Sequence, residues 1–264
     1  MVAEREVLQG GVANAGAVVR EGAYVLRPSN PHSELIHALF HYVRAAGFDG
    51  VPEPVGIEPD GQERLVFIPG DVAWPPFPRW GQTDRALASI GELLARFHAA
   101  AQGFEAPAGT TWNRELADPV GGALICHNDV CVENVVFRDG VAIALLDFDF
   151  AAPGRPLYDL GVMARMCVPL DTPEDAAVWG WESLDPIRRL RLVADSYGLP
   201  PGREELVRIL EQQMAAGGVF VRQRVERGEP AFVEMWERMG GQARYDRRRD
   251  WFSQHRERFV DALG

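Results

Sequence analysis

Apolar spacing changes several times along the chain, and each change marks an element. Residues 17–20 and 24–27 are short β-type runs separated by the turn Glu21-Gly22-Ala23, and Pro28 ends the second. Leu35, Ile36, Leu39, Phe40 and Val43 then recur with helical spacing behind Ser33, a residue suited to capping a helix start, and Gly47 and Gly50 end that pattern. Two further strands, near 55–57 and over 64–68, flank Asp60-Gly61 as a hairpin. Pro75, Pro76 and Pro78 predict a linker or lobe boundary. Leu87, Ile90, Leu93, Leu94 and Phe97 predict a long amphipathic helix over residues 83–101. Short apolar runs return over residues 123–150 around Asp139-Gly140, and the chain beyond Asp159 reads as mostly helical.

The expected class is therefore α+β, with a strand-rich N-terminal lobe over residues 1–70 and a mainly helical lobe over 71–264. A single α+β domain would produce the same pattern. With 264 residues, 47 % of them hydrophobic, the chain can bury a sizeable core. Its formal charge of −11 makes nucleic acid an unsuitable partner, because phosphates call for a basic face. The basic run at residues 244–249 is interleaved with acids and reads as a solvated helix face. All 27 basic residues are arginine. That excludes Schiff-base enzymes, Ser-x-x-Lys hydrolases and the P-loop with its lysine.

Cys126, Cys131 and Cys167 are odd in number, which argues for free thiols in a reducing compartment. Cys126, His127, Asp129 and Cys131 offer no second ligand pair of the kind a structural zinc needs, so buried thiols are expected. The start of the chain carries no leader-like apolar segment, and no run approaches membrane-spanning length. The expectation is a cytoplasmic protein without a membrane partner, monomeric by default. His98 reads as a core or capping histidine, and the scattered tryptophans as core packing.

The stretch with the most chemistry is His127-Asn128-Asp129, followed by Asn134, the turn at 139–140, and Asp147-Phe148-Asp149 at the end of an apolar strand. Phosphoryl transfer asks for a carboxylate to orient the attacking hydroxyl and oxygen ligands to hold Mg²⁺ against phosphates. Asp129 can be the first; Asn134 and Asp147 can be the second, since a hairpin brings them to one end of two paired strands. Asp147-Phe148-Asp149 alone would also suit a glycosyltransferase metal site, but the upstream His-x-Asp-x-x-x-x-Asn pattern argues against it.

Residues 124–165, with Leu157-Tyr158-Asp159-Leu160 downstream, resemble the aminoglycoside phosphotransferases and their choline-kinase-like relatives, and in particular an actinobacterial-type phosphotransferase branch. The resemblance implies a two-lobed protein-kinase-like fold, with ATP and Mg²⁺ as cofactors. It also implies Asp129 as catalytic base, Asn134 and Asp147 as magnesium ligands, and His127 and Asp159 as structural supports of the catalytic loop. Val66, Phe67 and Ile68 would meet the adenine through backbone groups, and Gly10 and Gly11 would cover the phosphates.

Two departures stand out. Asn128 replaces the family's usual glycine, and Arg27 occupies the strand position of its phosphate-binding lysine, with Glu34 or His37 as the expected acidic or basic partner. The implied acceptor is a hydroxyl on a small, cationic, aminoglycoside-like molecule, which Asp171, Glu174, Asp175, Glu182 and Asp185 could attract. An ordinary metabolite such as an amino alcohol or sugar is the alternative acceptor. The arginine at position 27 leaves a catalytically silent nucleotide-binding module as a further reading.

Overall fold

A computed structural model of the protein describes residues 5–9, 16–182 and 184–264. Gly10 and Gly11 lie outside the described residues. Strands β1 (Arg5–Val7), β2 (Val19–Glu21), β3 (Tyr24–Pro28), β4 (Pro54–Ile57) and β5 (Gln62–Val66) form one antiparallel sheet in the order β1-β2-β3-β5-β4. Helix α1 (Ser33–Ala45) joins β3 to β4 and buries Leu35, Ile36, Leu39, Phe40 and Val43, the residues its spacing singled out. Ser33 is the first helical residue and not the cap; its hydroxyl accepts from the Asn30 amide at 2.9 Å.

The rest of the chain is built on α2 (Asp84–Ala100), capped by Thr83, whose hydroxyl accepts from the Ala86 amide at 3.1 Å. Leu87, Ile90, Leu93, Leu94 and Phe97 of α2 are each at most 1 % exposed. Burial of that order stabilises by about 1.5–3 kcal/mol per side chain. Strand β6 (Leu124–Cys126) pairs with β9 (Ala152–Gly154), and between them lies the hairpin of β7 (Val135–Arg138) and β8 (Val141–Leu145). Helices α3 (Pro156–Cys167), α4 (Pro173–Val178), α5 (Pro186–Tyr197), α6 (Glu205–Glu226), α7 (Pro230–Arg238) and α8 (Gly241–Leu263) complete the helical part. Among the described residues no helix is long and apolar enough to cross a membrane.

In the proline-rich stretch Phe77 donates its amide to the Trp179 carbonyl at 2.8 Å and lies against Trp181. The basic run, expected as a solvated face, is one only in part. Arg244 is buried and bonded to Asp171, Arg247 grips Asp175, and Arg248 donates to the backbone carbonyls of Leu170 and Arg165. Helix α8 packs against the rest of the helical part on the Arg244 and Arg248 side, while Arg247 and Arg249 stay exposed.

Candidate active site

The β7–β8 register pairs Val135 with Leu145, and the Leu146 amide extends it by donating to the Asn134 carbonyl at 2.8 Å. Asn134 and Asp147 therefore sit at the same end of the hairpin. Asn134 turns its side-chain amide nitrogen to the Asp129 carbonyl at 2.9 Å and to the Asp129 carboxylate at 3.1 Å. Its amide oxygen is left as a hard donor.

The loop that carries Asp129 is tied down from behind. Asp159, at the start of α3, accepts from the His127 amide at 2.7 Å, the Asn128 amide at 2.8 Å and the His98 ring at 2.9 Å. His98 in turn meets the Tyr197 hydroxyl at 2.7 Å. His98, Cys126 and Asp159 are close enough to suggest a metal, but both His98 nitrogens and both Asp159 oxygens already have protein partners. The group is a brace. Fully buried His127 accepts from the Asp129 amide at 3.2 Å and donates its other ring nitrogen to the Leu146 carbonyl at 2.8 Å. That pattern belongs to the neutral ring, and burial holds the His127 pKa below its ordinary value.

Asn128 and Asp147 have φ of 62° and 60°, the left-handed region that asparagine and aspartate enter more readily than other side chains. A glycine would also suit position 128, so Asn128 keeps the backbone turn that the resemblance assigns to glycine. All three cysteines are free and buried.

Between the sheet and the hairpin lies a cavity of about 420 Å³, with Val25, Leu65, Trp74, Val136 and Leu146 among its apolar walls. Arg27, Glu133, Asn134 and Asp147 bring polar groups to it, and Val66, Phe67 and Ile68 line one edge. The Val66 and Phe67 amides are already spent on the Glu53 and Ala23 carbonyls, at 2.9 and 2.8 Å. Among the described residues the Ile68 amide has no such partner, which narrows the expected backbone recognition to one donor.

Arg27 pairs with neither Glu34 nor His37. Its guanidinium bonds Glu63, Asp147 at 3.0 Å, and Asp149. Glu34 is exposed, and His37 stands one step behind, bonding Glu63 at 2.8 Å. Glu63 is the direct cross-strand neighbour of Arg27 in the β3–β5 register. Burial disfavours the Glu63 carboxylate, but His37 and Arg27 together hold its pKa below the ordinary value. Burial would also lower the Arg27 pKa, and the three acids overcome it and raise it. Asp147 is pushed up to about 6 by burial and by the neighbouring Asp149, against the pull of Arg27. Asp129 is raised well above the usual carboxylate range by burial and by Asp147.

Residues 111–193, which include the Asp129 loop and the hairpin, match the model of the phosphotransferase enzyme family. Over 189 residues the chain is 31 % identical to a trifolitoxin immunity protein of Rhizobium leguminosarum bv. trifolii, covering 69 % of this chain and 70 % of that one. The chain belongs to the phosphotransferase enzyme family. Its fold is that of a choline/ethanolamine kinase family protein from Mesorhizobium loti, with a TM-score of 0.65, 17 % identity, and coverage of 99 % of this chain and 92 % of that one. A choline kinase from Streptococcus pneumoniae aligns with a TM-score of 0.59 at 12 % identity, covering 96 % of this chain and 94 % of that one. The architecture is thus protein-kinase-like, strand-rich at the N-terminal end and helical beyond.

The acids expected to attract a cation are mostly committed. Asp171 bonds Arg244, Asp175 bonds Arg247, Glu182 bonds Arg79 at 2.6 Å, and Asp185 caps α5. Glu63 was outside the sequence expectation.

Proposed function

We propose that residues 1–70 and 71–264 act as a nucleotide-binding lobe and a catalytic lobe, and that the chain moves the γ-phosphoryl group of a nucleoside triphosphate to a hydroxyl of a small molecule. One observation carries this reading: Asp129, Asn134 and Asp147 are held together at the end of one hairpin, beside a cavity of about 420 Å³, in a member of the phosphotransferase enzyme family.

Asp129 would orient the acceptor hydroxyl and receive its proton as the new O–P bond forms and the bond between the β-phosphate oxygen and the γ-phosphorus breaks. Its raised pKa makes it a stronger proton acceptor than an exposed carboxylate. Asn134 and Asp147 offer oxygen donors, the ligand type that suits Mg²⁺, and the crowding of Asp147 against Asp149 is what a divalent cation would relieve. Magnesium, when bound, neutralises charge on the phosphates. Arg27 supplies a forked cation at the same end of the cavity, and it matches phosphate oxygens bidentately where a lysine would act as a point charge. The apolar walls and the Ile68 amide suit a purine base, from ATP or GTP alike.

The test is product formation from ATP and from GTP with a panel of hydroxyl compounds, read by mass spectrometry as gain of one phosphoryl group. Asp129→Asn should lower turnover about 10²–10⁴-fold, the usual worth of a general base, with little change in nucleotide affinity. Turnover that survives the substitution would remove Asp129 from the mechanism.

A further inference from the structure

Arg27 spends its guanidinium on three acids, and those acids belong to two different parts of the fold. Nε donates to Glu63, on the neighbouring strand of the sheet and directly opposite Arg27 in the β3–β5 register. The two terminal nitrogens reach across to the segment after β8, Nη1 to Asp147 Oδ1 at 3.0 Å and Nη2 to Asp149. Glu63 is 2 % exposed, and its second oxygen meets the His37 ring at 2.8 Å. Both Glu63 oxygens are thus engaged from the sheet and α1, away from the catalytic hairpin. Arg27 and Asp147 themselves face the cavity.

These contacts and a metal at Asp147 exclude each other. A divalent cation held by the Asp147 carboxylate would stand within a few ångströms of the guanidinium bonded to that same group, and two cations so close repel. Mg²⁺ also demands a near-octahedral set of oxygens, which leaves no room for a guanidinium among its ligands. The charges favour an exchange. Three carboxylates against one guanidinium leave two negative charges over, His37 being counted neutral. A divalent cation on Asp147 and Asp149 removes that excess and leaves Arg27 and Glu63 as a balanced pair. The terminal nitrogens then need new acceptors, because buried donors without partners are costly. Phosphate oxygens in the cavity supply them in the two-pronged form that a guanidinium matches.

We propose that Arg27 and the divalent cation compete for Asp147 and Asp149, and that Glu63, braced by His37, is the positioning residue on which the guanidinium turns from those aspartates to the phosphates. This rests on the phosphotransferase reading above and assigns Glu63 and Arg27 their parts in it. Glu63 keeps hold of Nε throughout, since its place on β5 does not change when the aspartates change partners. Metal alone therefore binds weakly, because it must displace the guanidinium with nothing to receive it. Nucleotide brings the receiving oxygens, so metal and nucleotide favour each other's binding.

Mn²⁺, followed by its electron paramagnetic resonance signal, stands in for Mg²⁺ and is titrated into the whole chain without nucleotide. Arg27→Met should bind it about tenfold or more tightly than the wild type, as expected when a charged competitor leaves the same carboxylates. Arg27→Gln repeats the measurement should Arg27→Met fail to fold. Arg20→Met makes the same change of charge on the cavity wall, where Arg20 lies over the Phe67 ring at 3.9 Å, and should leave Mn²⁺ affinity near that of the wild type. Equal affinity with and without Arg27, or the same gain in Arg20→Met, would overturn the competition. Calorimetry with Mg²⁺ and a non-hydrolysable ATP analogue then tests Glu63. Glu63→Met should weaken binding about tenfold beside Arg27 and not at all in Arg27→Met, and Glu63→Gln, which keeps an acceptor for Nε, should restore most of the loss. An equal loss in both backgrounds, or none in either, would overturn the positioning role. A wild type that binds the analogue neither with nor without Mg²⁺ would sink the phosphotransferase reading itself, whereas analogue binding without the Mn²⁺ gain would sink only the exchange.

Discussion

Asp159 shows how much of the site depends on one side chain that never reaches the cavity. Its two oxygens take two backbone amides of the Asp129 loop and the His98 ring, all inside the core. Asp159→Asn should therefore cost about 3 kcal/mol, measured as a fall in denaturant midpoint at constant m-value. Burial works against the Asp159 carboxylate, yet His98 and the loop hold its pKa below the ordinary carboxylate range, while burial keeps His127 neutral. The unfolded chain binds protons at both residues that the folded chain refuses. Stability should accordingly fall as pH drops below the ordinary histidine value of 6.5, and again through the carboxylate range, in a series of Tm measurements.

Arg27 makes a second prediction at the residue scale. If it meets phosphate, Arg27→Lys keeps nucleotide affinity and Arg27→Ala weakens it about tenfold by calorimetry. A neutral Arg27→Ala would mean that the guanidinium serves only Glu63, Asp147 and Asp149.

Elements whose signal is local were legible in the sequence. The spacing of Leu87 to Phe97 marked α2, though not that Thr83 caps it, and Asp139-Gly140 between apolar runs marked the hairpin that joins Asn134 to Asp147. Thr83→Ala should remove about 1 kcal/mol of stability, read from the denaturant midpoint. What the periodicity could not carry was lateral order. The hairpin of β4 and β5 was readable, but not that β5, the later strand, lies beside β3; that order alone makes Glu63 the partner of Arg27. Arg244 and Arg248 of α8 were misread for the same reason. A run of charges looks solvated until α8 is packed against Asp171 and Asp175.

For the molecule as a whole, the excess of acids is found again at the site, where Glu63, Asp147 and Asp149 share the one guanidinium of Arg27. The formal charge is −11, and near α4 and α8 Asp171 and Asp175 are spent on Arg244 and Arg247. The cavity joins the two ends of the fold physically, since Arg27 comes from the sheet and Asp147 from the hairpin. In the proposed function Asp147 and Asn134 would hold Mg²⁺ against the phosphates of a nucleotide in this cavity. Calorimetric titration of a non-hydrolysable ATP analogue, with and without Mg²⁺, into wild type and Asp147→Asn tests it most directly. Mg²⁺ should tighten binding to the wild type, and this gain should be lost in Asp147→Asn; an equal gain in both proteins, or no binding to either, would overturn the assignment.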